Sequence, residues 1–376
     1  MKKVVVGMSG GVDSSVAALL LKEQGYDVHG VFMKNWDSAL NNDVLGNPHA
    51  QAPICQAEVD YQDVEKVAKQ LGITYEMVDF TEKYWDHVFT YFLESYKQYR
   101  TPNPDILCNK EIKFNAFLHY AKGLGADYVA TGHYAQTRQN GDEVVLARAV
   151  DQGKDQTYFL SQLSGWQLSD VLFPLGGYTK AEIREIAERA NLATARKKDS
   201  TGICFIGERD FKAFLTNYLP AQPGNIRAYN GDILGTHDGL MYYTIGQRSG
   251  LSIGGQNGPW FVYGKDVKHN ELLVTNETQL DLLYSDAMTA TDVNWITPSL
   301  LPQQTSFEAT AKFRYRQADQ QVNITILTSD RIAVDFAAPI RAITPGQAAV
   351  FYLDDVTIGG ATIDEVYKAG TKLDYL

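Results

Sequence analysis

Cysteine, long apolar runs and positive charge are scarce in this chain, and each scarcity excludes a class of protein. The 376 residues include three cysteines, Cys55, Cys108 and Cys204. They are too few and too scattered for a disulfide framework, and they fit a reducing cytoplasm. No CxxC or HExxH spacing occurs, so no metal site is expected by motif. No apolar stretch approaches the ~18–20 residues of a membrane span. The opening Met1-Lys2-Lys3-Val4-Val5-Val6-Gly7 reaches glycine too soon for a secretory leader and reads as a buried first strand. Lys plus Arg number 34 against 45 Asp plus Glu, a net charge of −11. That balance argues against a protein that coats nucleic acid indiscriminately, yet it leaves room for a local basic face.

What is present is a globular composition, 44% hydrophobic and 21% charged, in a chain too long for one core. The first third alternates strand and helix signals. Val4–Gly7, Tyr26–Met33, Ile73–Phe80 and Asp127–Thr131 read as strands. Ser14–Gln24, Glu58–Leu71, Thr81–Tyr99, Ile112–Leu124 and Lys180–Asn191 read as helices. Such βα alternation predicts a doubly wound parallel sheet, an α/β fold. Ser38–Ile54 is polar, without a period, and reads as a surface loop. Beyond Phe211, glycine-rich turns separate short segments. From Tyr284 onwards period-2 strands dominate, including Phe307–Arg316, Gln321–Leu327, Ile332–Phe336 and Ala348–Leu353. They predict a small β-barrel or sandwich.

The strongest local signal is Gly7-Met8-Ser9-Gly10-Gly11-Val12-Asp13-Ser14-Ser15, between a strand and a helix. Glycines there allow a tight turn that points amides inward, and the helix N-terminus adds positive potential. The bland alternative is a tight turn with serine capping the helix. The loop is neither GxxxxGK[ST] nor GxGxxG. Its SGGVDS core resembles the pyrophosphate-binding loop of the PP-loop ATP pyrophosphatases. That resemblance implies adenylation of a substrate oxygen by ATP, with Asp13 near the phosphates and near Mg²⁺. Met33 and Gly132 end strands at the same sheet edge. By its residue type alone Met33 reads as core, whereas Gly132 would let a nucleotide approach the backbone.

Two cysteines lie in unusual settings. In Thr101-Pro102-Asn103-Pro104-Asp105-Ile106-Leu107-Cys108, Asp105 is placed to cap a helix whose first turn holds Cys108. Amides there would favour a Cys108 thiolate, although a lone thiol is more often a small buried apolar group. Cys204 follows small residues, as in a loop able to move, and the Arg196-Lys197-Lys198 run would favour a nearby anion. Cys55 has no comparable setting.

Taken with GMSGGVDSS at 7–15, the segments FMKNWD at 32–37, TPNPDILCNKEIKF at 101–114, ATGHY at 130–134 and KDQTYFL at 154–160 form an ordered set. KKDSTGICFIGER at 197–209, YLPAQPG at 218–224, GLMYYTIGQRSGL at 239–251, RYRQ at 314–317 and TPGQAAVFY at 344–352 complete it. Over nearly its whole length the chain resembles the bacterial tRNA-specific 2-thiouridylases. The Ser38–Ile54 loop is longer than their pattern.

The resemblance implies a PP-loop catalytic domain over 1–210, a central tRNA-binding domain over 211–282 and a C-terminal β-barrel over 283–376. It implies ATP at Gly7, Met8, Ser9, Gly10, Gly11, Val12, Asp13, Ser14, Met33 and Gly132, with Mg²⁺ accompanying ATP. The C2 oxygen of a wobble uridine, in tRNAs with Glu, Gln or Lys anticodons, is adenylated. Cys204 carries a persulfide delivered by a sulfur-relay protein or cysteine desulfurase. Cys108 acts as nucleophile, and a transient Cys108–Cys204 disulfide follows. Asn103, Pro104 and Asp105 border the base, and Asp105 is the candidate acid or base. His133, Lys154, Asp155, Gln156, Arg314, Tyr315 and Gln347 contact tRNA. A cytoplasmic monomer without membrane contact is expected.

Strand alternation would place Lys312, Arg314 and Arg316 on one face as a basic ridge, which an exposed strand edge would also show. Rival readings are another PP-loop synthetase, which needs no cysteine pair, and a non-catalytic nucleotide-sensing or RNA-binding module. A 2-thiocytidine synthetase would carry the missing CxxC.

Overall fold

The computed structural model describes residues 1–50, 55–199, 202–204, 206–254 and 258–373. Pro53, Ile54, Ser200, Thr201, Phe205 and Gly255, all used in the sequence reading, lie outside them.

Val4, Val5 and Val6 are wholly buried, as befits a strand covered on both faces. They belong to strand β1 (Lys3–Gly7), which feeds helix α1 (Val12–Glu23). Then come β2 (Asp27–Lys34), helix α2 (Gln56–Leu71), β3 (Thr74–Asp79) and β4 (Tyr128–Ala130). A hairpin of β5 (Gln136–Asn140) and β6 (Glu143–Ala147) precedes the two-residue β7 (Val171–Leu172). The first sheet has the order β3-β2-β1-β4-β7, with every pairing parallel. This is the doubly wound sheet expected. Its order reverses between β1 and β4, so their carboxyl ends flank the crevice where such sheets bind ligands. The α2 signal is met closely: Val64, Val67, Ala68 and Leu71 are buried, and Gly72 at φ 61° ends the helix in the left-handed region.

Two helices depart from the 3.6-residue period. Thr81–Lys97 is interrupted by a π-helical turn at Trp85–Phe89. Pro104–Gly123 is helical throughout, but Cys108–Ala116 is π-helical. The helix expected from Asp105 and the one expected over Ile112–Leu124 are thus one helix, whose π-helical middle carries no 3.6-residue period.

The central sheet holds β8 (Gly224–Ala228), β9 (Ile233–His237), β10 (Phe261–Asp266) and β11 (Glu271–Thr275), in the order β10-β11-β8-β9. The last strands are β12 (Tyr284–Trp295), β13 (Ser306–Lys312), β14 (Gln320–Ile326), β15 (Ile332–Arg341), β16 (Ala348–Leu353) and β17 (Val356–Lys368). They pair in the order β12-β15-β14-β13-β16-β17, and β12 pairs again with β17, which closes a barrel. β13 stops at Lys312, short of the expected Arg316. There Phe313 turns inward and its amide donates to Gln317 Oε1 at 2.9 Å.

The β5–β6 hairpin was not anticipated. It adds to the barrel sheet through Ala147↔Val356 and Leu146↔Thr357, so the first 210 residues contribute to the last sheet. The available signal was Asn140-Gly141, a strong hairpin dipeptide, and Gly141 adopts φ 61°. One hydrophobic core runs from Val5 and Val31 through Tyr84, Cys108 and Phe214 to Phe351 of the barrel.

Candidate active site

The glycine loop leaves β1 at the switch point. Gly10 adopts φ 71°, and a Cβ there would sit 2.4 Å from the Asp60 carbonyl oxygen, so glycine is needed on both counts. Gly11 is the N-cap of α1 and offers no side-chain cap. The serine cap of the alternative reading is therefore absent. Instead Ser15 Oγ donates back to the Gly11 carbonyl at 2.7 Å, and Ser14 Oγ accepts the Ser9 amide at 3.1 Å. The helix begins at Val12, which puts Asp13 in its first turn. First-turn amides without a side-chain acceptor suit an anion.

Around this loop, Met8 and Val12 are buried, and Met33 packs behind Gly7 in the core. Gly132 abuts the loop itself: a Cβ there would lie 2.8 Å from the Ser14 nitrogen. Asp13 accepts hydrogen bonds from Tyr134 Oη at 2.9 Å and from Lys180 Nζ at 2.7 Å. Lys180 also reaches Asp199 at 2.8 Å, where Lys154 and Arg184 converge at 3.0 and 2.6 Å. Burial alone would raise the Asp199 carboxyl, but hydrogen bonds from Lys180 and Lys154 bring it down to about 2.

The second cluster surrounds the thiols. Asn103, not Asp105, caps the helix: its side chain accepts the Ile106 amide at 3.3 Å, with Pro104 following. Asp105 is thereby free to reach across, and its Oδ1 accepts the Cys204 amide at 3.0 Å. Cys204 lies in a tight turn rather than an open loop. The Ile203 amide donates to the Gly207 carbonyl at 3.2 Å, the Gly207 amide returns to Ile203 at 2.8 Å, and Gly202 adopts φ 96°. Tyr84 Oη donates to the Cys204 carbonyl at 2.9 Å. Cys108 and Cys204, 96 positions apart in sequence, are side-chain hydrogen-bond partners, and both are free thiols.

The electrostatics invert the expectation for Cys108. Burial pushes its thiol well up, and its hydrogen bond to Cys204 pushes the same way. Cys204 is the thiol that is lowered, first by the hydrogen bond from Cys108 and then, against burial, by the charge of Lys113. Of the Arg196-Lys197-Lys198 run, Lys197 is turned to other partners, pairing with Asp60 and Asp63, both at 2.8 Å. Sequence reasoning missed Lys113, Tyr84 and Lys180. All three lie within segments that read as helices, but no one-dimensional pattern shows what they face.

β4 joins the two clusters. Within three residues after it, Gly132 touches the nucleotide loop, while His133 bonds Thr131 Oγ1 through Nδ1 at 2.7 Å. Burial and the nearby Lys113 hold His133 well below the usual imidazole range, so it is neutral.

The residues expected at tRNA mostly hold the fold's junctions. Asp155 is buried and accepts the Ala149 amide at 2.9 Å and Thr157 Oγ1 at 2.7 Å. Gln156 Oε1 accepts the Tyr134 amide at 3.0 Å, and Gln347 Nε2 donates to the Thr101 carbonyl at 2.9 Å. Arg314 is exposed yet donates to the Ile245 carbonyl at 2.9 Å, and Tyr315 packs against Phe159, the rings tilted at 44° with centroids 4.5 Å apart. Because β13 ends at Lys312, the ridge of three cations on one strand face does not form. Among the described residues, no helix is long and apolar enough to cross a membrane.

Comparisons with known proteins give the chain's family. Residues 2–208 match the family described as tRNA methyl transferase HUP domain, 212–276 its PRC-barrel domain, and 285–363 an aminomethyltransferase beta-barrel domain. The tRNA-specific 2-thiouridylase MnmA of Listeria innocua is 61% identical over all of this chain and 98% of its own length. The Bacillus cereus protein of the same name is 59% identical over the same shares. A solved 4-thiouridine synthetase–RNA complex with bound ATP is far more distant: 16% identity, 55% of this chain, 45% of that chain and a TM-score of 0.33. At 61% identity from end to end, with the PP-loop and both cysteine segments in place, the chain belongs to the tRNA-specific 2-thiouridylase family.

Proposed function

We propose that this protein is an ATP-dependent tRNA sulfurtransferase that converts a wobble uridine, in tRNAs of the Glu, Gln and Lys anticodon types, to 2-thiouridine. One observation carries the reading: just after β4, Gly132 abuts the glycine loop and the next residue, His133, faces Lys113, the lysine that hydrogen-bonds Cys204. This supports a reading in which the loop that would bind ATP and the two thiols serve one reaction centre, as sulfur transfer to an activated carbonyl requires.

Uracil C2 carries no leaving group. In the proposed reaction its oxygen attacks the α-phosphorus of ATP, pyrophosphate leaves, and an O-adenylated uridine forms. Mg²⁺ arriving with ATP would find the Asp13 carboxylate in the first turn of α1, where it would neutralise phosphate charge. Cys204 carries a persulfide received from a sulfur-relay protein or cysteine desulfurase. Cys108 attacks its inner sulfur, the Cys108–Cys204 disulfide forms, and hydrosulfide leaves to attack C2, which expels AMP. A thiol reductant then restores both cysteines. A base that must reach both sites has to leave its stack, and Asn103, Pro104 and Asp105 are assigned to border it. The domain division at 1–210, 211–282 and 283–376 remains part of this proposal, with tRNA held by local contacts and its binding weakened by salt.

The test is thiolation of unmodified tRNA with ATP, Mg²⁺ and a persulfide donor, read by mass spectrometry of nucleosides. The expected products are 2-thiouridine at the wobble position, AMP and pyrophosphate. Cys204→Ser and Cys108→Ser should each lose product. No thiolated nucleoside from the wild type, or full activity in both variants, overturns the proposal.

A further inference from the structure

Cys108 and Lys113 are five residues apart. On an α-helix, at about 100° per residue, they would point about 140° away from each other. The segment Cys108–Ala116 is π-helical, so residues five apart lie one turn apart on a shared face. The face they share is the one that meets Cys204. Lys113 hydrogen-bonds Cys204 and interacts with Cys108 and Asp105 as well.

Among the described residues, the other titratable groups that bear on Cys204 come from three elements: Cys108 lies on the same π-helical segment as Lys113, Asp105 on Pro104–Leu107 and Tyr84 on Thr81–Tyr84. His133, which follows β4, faces Lys113. Asp105 is the carboxylate among them, and it faces the Cys204 amide. Among the described residues of this group, Lys113 is the cation that hydrogen-bonds Cys204.

We propose that Lys113 is the positioning cation that holds Cys204 as a thiolate ready to accept sulfur. The second half of this statement rests on the sulfurtransferase reading. In that step the Cys204 thiolate attacks the outer sulfur of a donor persulfide, R–S–SH. The donor S–S bond breaks, a Cys204 S–S bond forms, and the donor departs as RS⁻. The proton stays on the transferred sulfur, and no outside oxidant is needed. The departing RS⁻ can then take that proton, and Lys113 faces the resulting persulfide anion. The π-helical segment is what allows one element to present a thiol and its neighbour's counter-ion together.

Site-resolved alkylation of the full-length chain with iodoacetamide, followed by peptide mass spectrometry across a pH series, tests this. Cys204 should become half-reactive below the ~8.5 of a free thiol. Lys113→Met should raise that midpoint by about one unit and slow alkylation at neutral pH about tenfold, while Lys113→Arg restores both. A wild-type midpoint at or above the free-thiol value overturns the assignment, whatever the variants do. So does an unchanged midpoint in a folded Lys113→Met chain. A protein that thiolates no tRNA yet shows the Lys113-dependent shift would overturn the reaction and leave the ion pair standing.

Discussion

Asp105 stands where a helix start and a reactive turn meet. Burial raises its carboxyl above the ordinary range, against the pull of the Cys204 amide and of Lys113. A raised carboxyl keeps its proton to higher pH and is better matched to general acid work. Asp105→Asn retains an oxygen for the Cys204 amide but removes the titratable proton. Thiolation should fall by about 10²–10⁴-fold, with the melting temperature unchanged. Undiminished single-turnover thiolation would remove Asp105 from the acid–base role. At this scale the sequence showed which residues were chemically notable and misjudged what surrounds them. Asn103 took the cap because Pro104 pre-sets the first helical position, and the helix-derived amides expected to ionise Cys108 were outweighed by burial. Neither outcome could be read without knowing what packs on that helix.

Asp43 shows what the polar loop after β2 does. Its side chain is fully buried and receives Trp36 Nε1 at 2.9 Å and Arg209 at 2.6 Å. Tyr218 Oη and Asn217 reach the same loop at Asn41 and Leu45. The loop is thus a brace on the segment that follows Cys204. Asp43→Ala would leave the Arg209 charge buried without its partner, and urea unfolding should report a loss of about 3–5 kcal/mol. A loss below about 1 kcal/mol would mean that the pair behaves as a solvated one. Elements with regular periods, such as β1 and α2, were legible within a residue or two. This loop and the π-helical segment were not. Neither carries a repeating period, and each is held in shape by distant partners.

At the scale of the molecule, the segment before the Asn103 cap is a junction. The Thr101 amide donates to the Pro345 carbonyl at 3.0 Å, Arg100 pairs with Asp364 at 2.7 Å, and the buried Lys265 reaches the Tyr99 carbonyl at 2.5 Å. The central sheet and the barrel therefore both grip the chain that leads into Cys108. Burial lowers Lys265 from 10.5 to about 7. Between those values the unfolded chain holds a proton that the native state lacks, so stability rises with pH across that window, by at most about 1.4 kcal/mol per unit. Lys265→Met abolishes this term. Its stability relative to the wild type should be most favourable below pH 7 and should decline as pH climbs towards 10.5. Denaturation curves whose difference stays constant with pH would show that Lys265 titrates as an ordinary lysine. The sequence by itself determined the βα alternation, the SGGVDS turn and the late strands, because periodicity, glycine backbone freedom and strand propensity act between near neighbours. Only the tertiary structure decided that Cys108 meets Cys204, that Lys113 faces them, and that a hairpin from the first 210 residues completes the last sheet. These are long-range contacts, settled by which surfaces bury one another, and no local pattern carries that information.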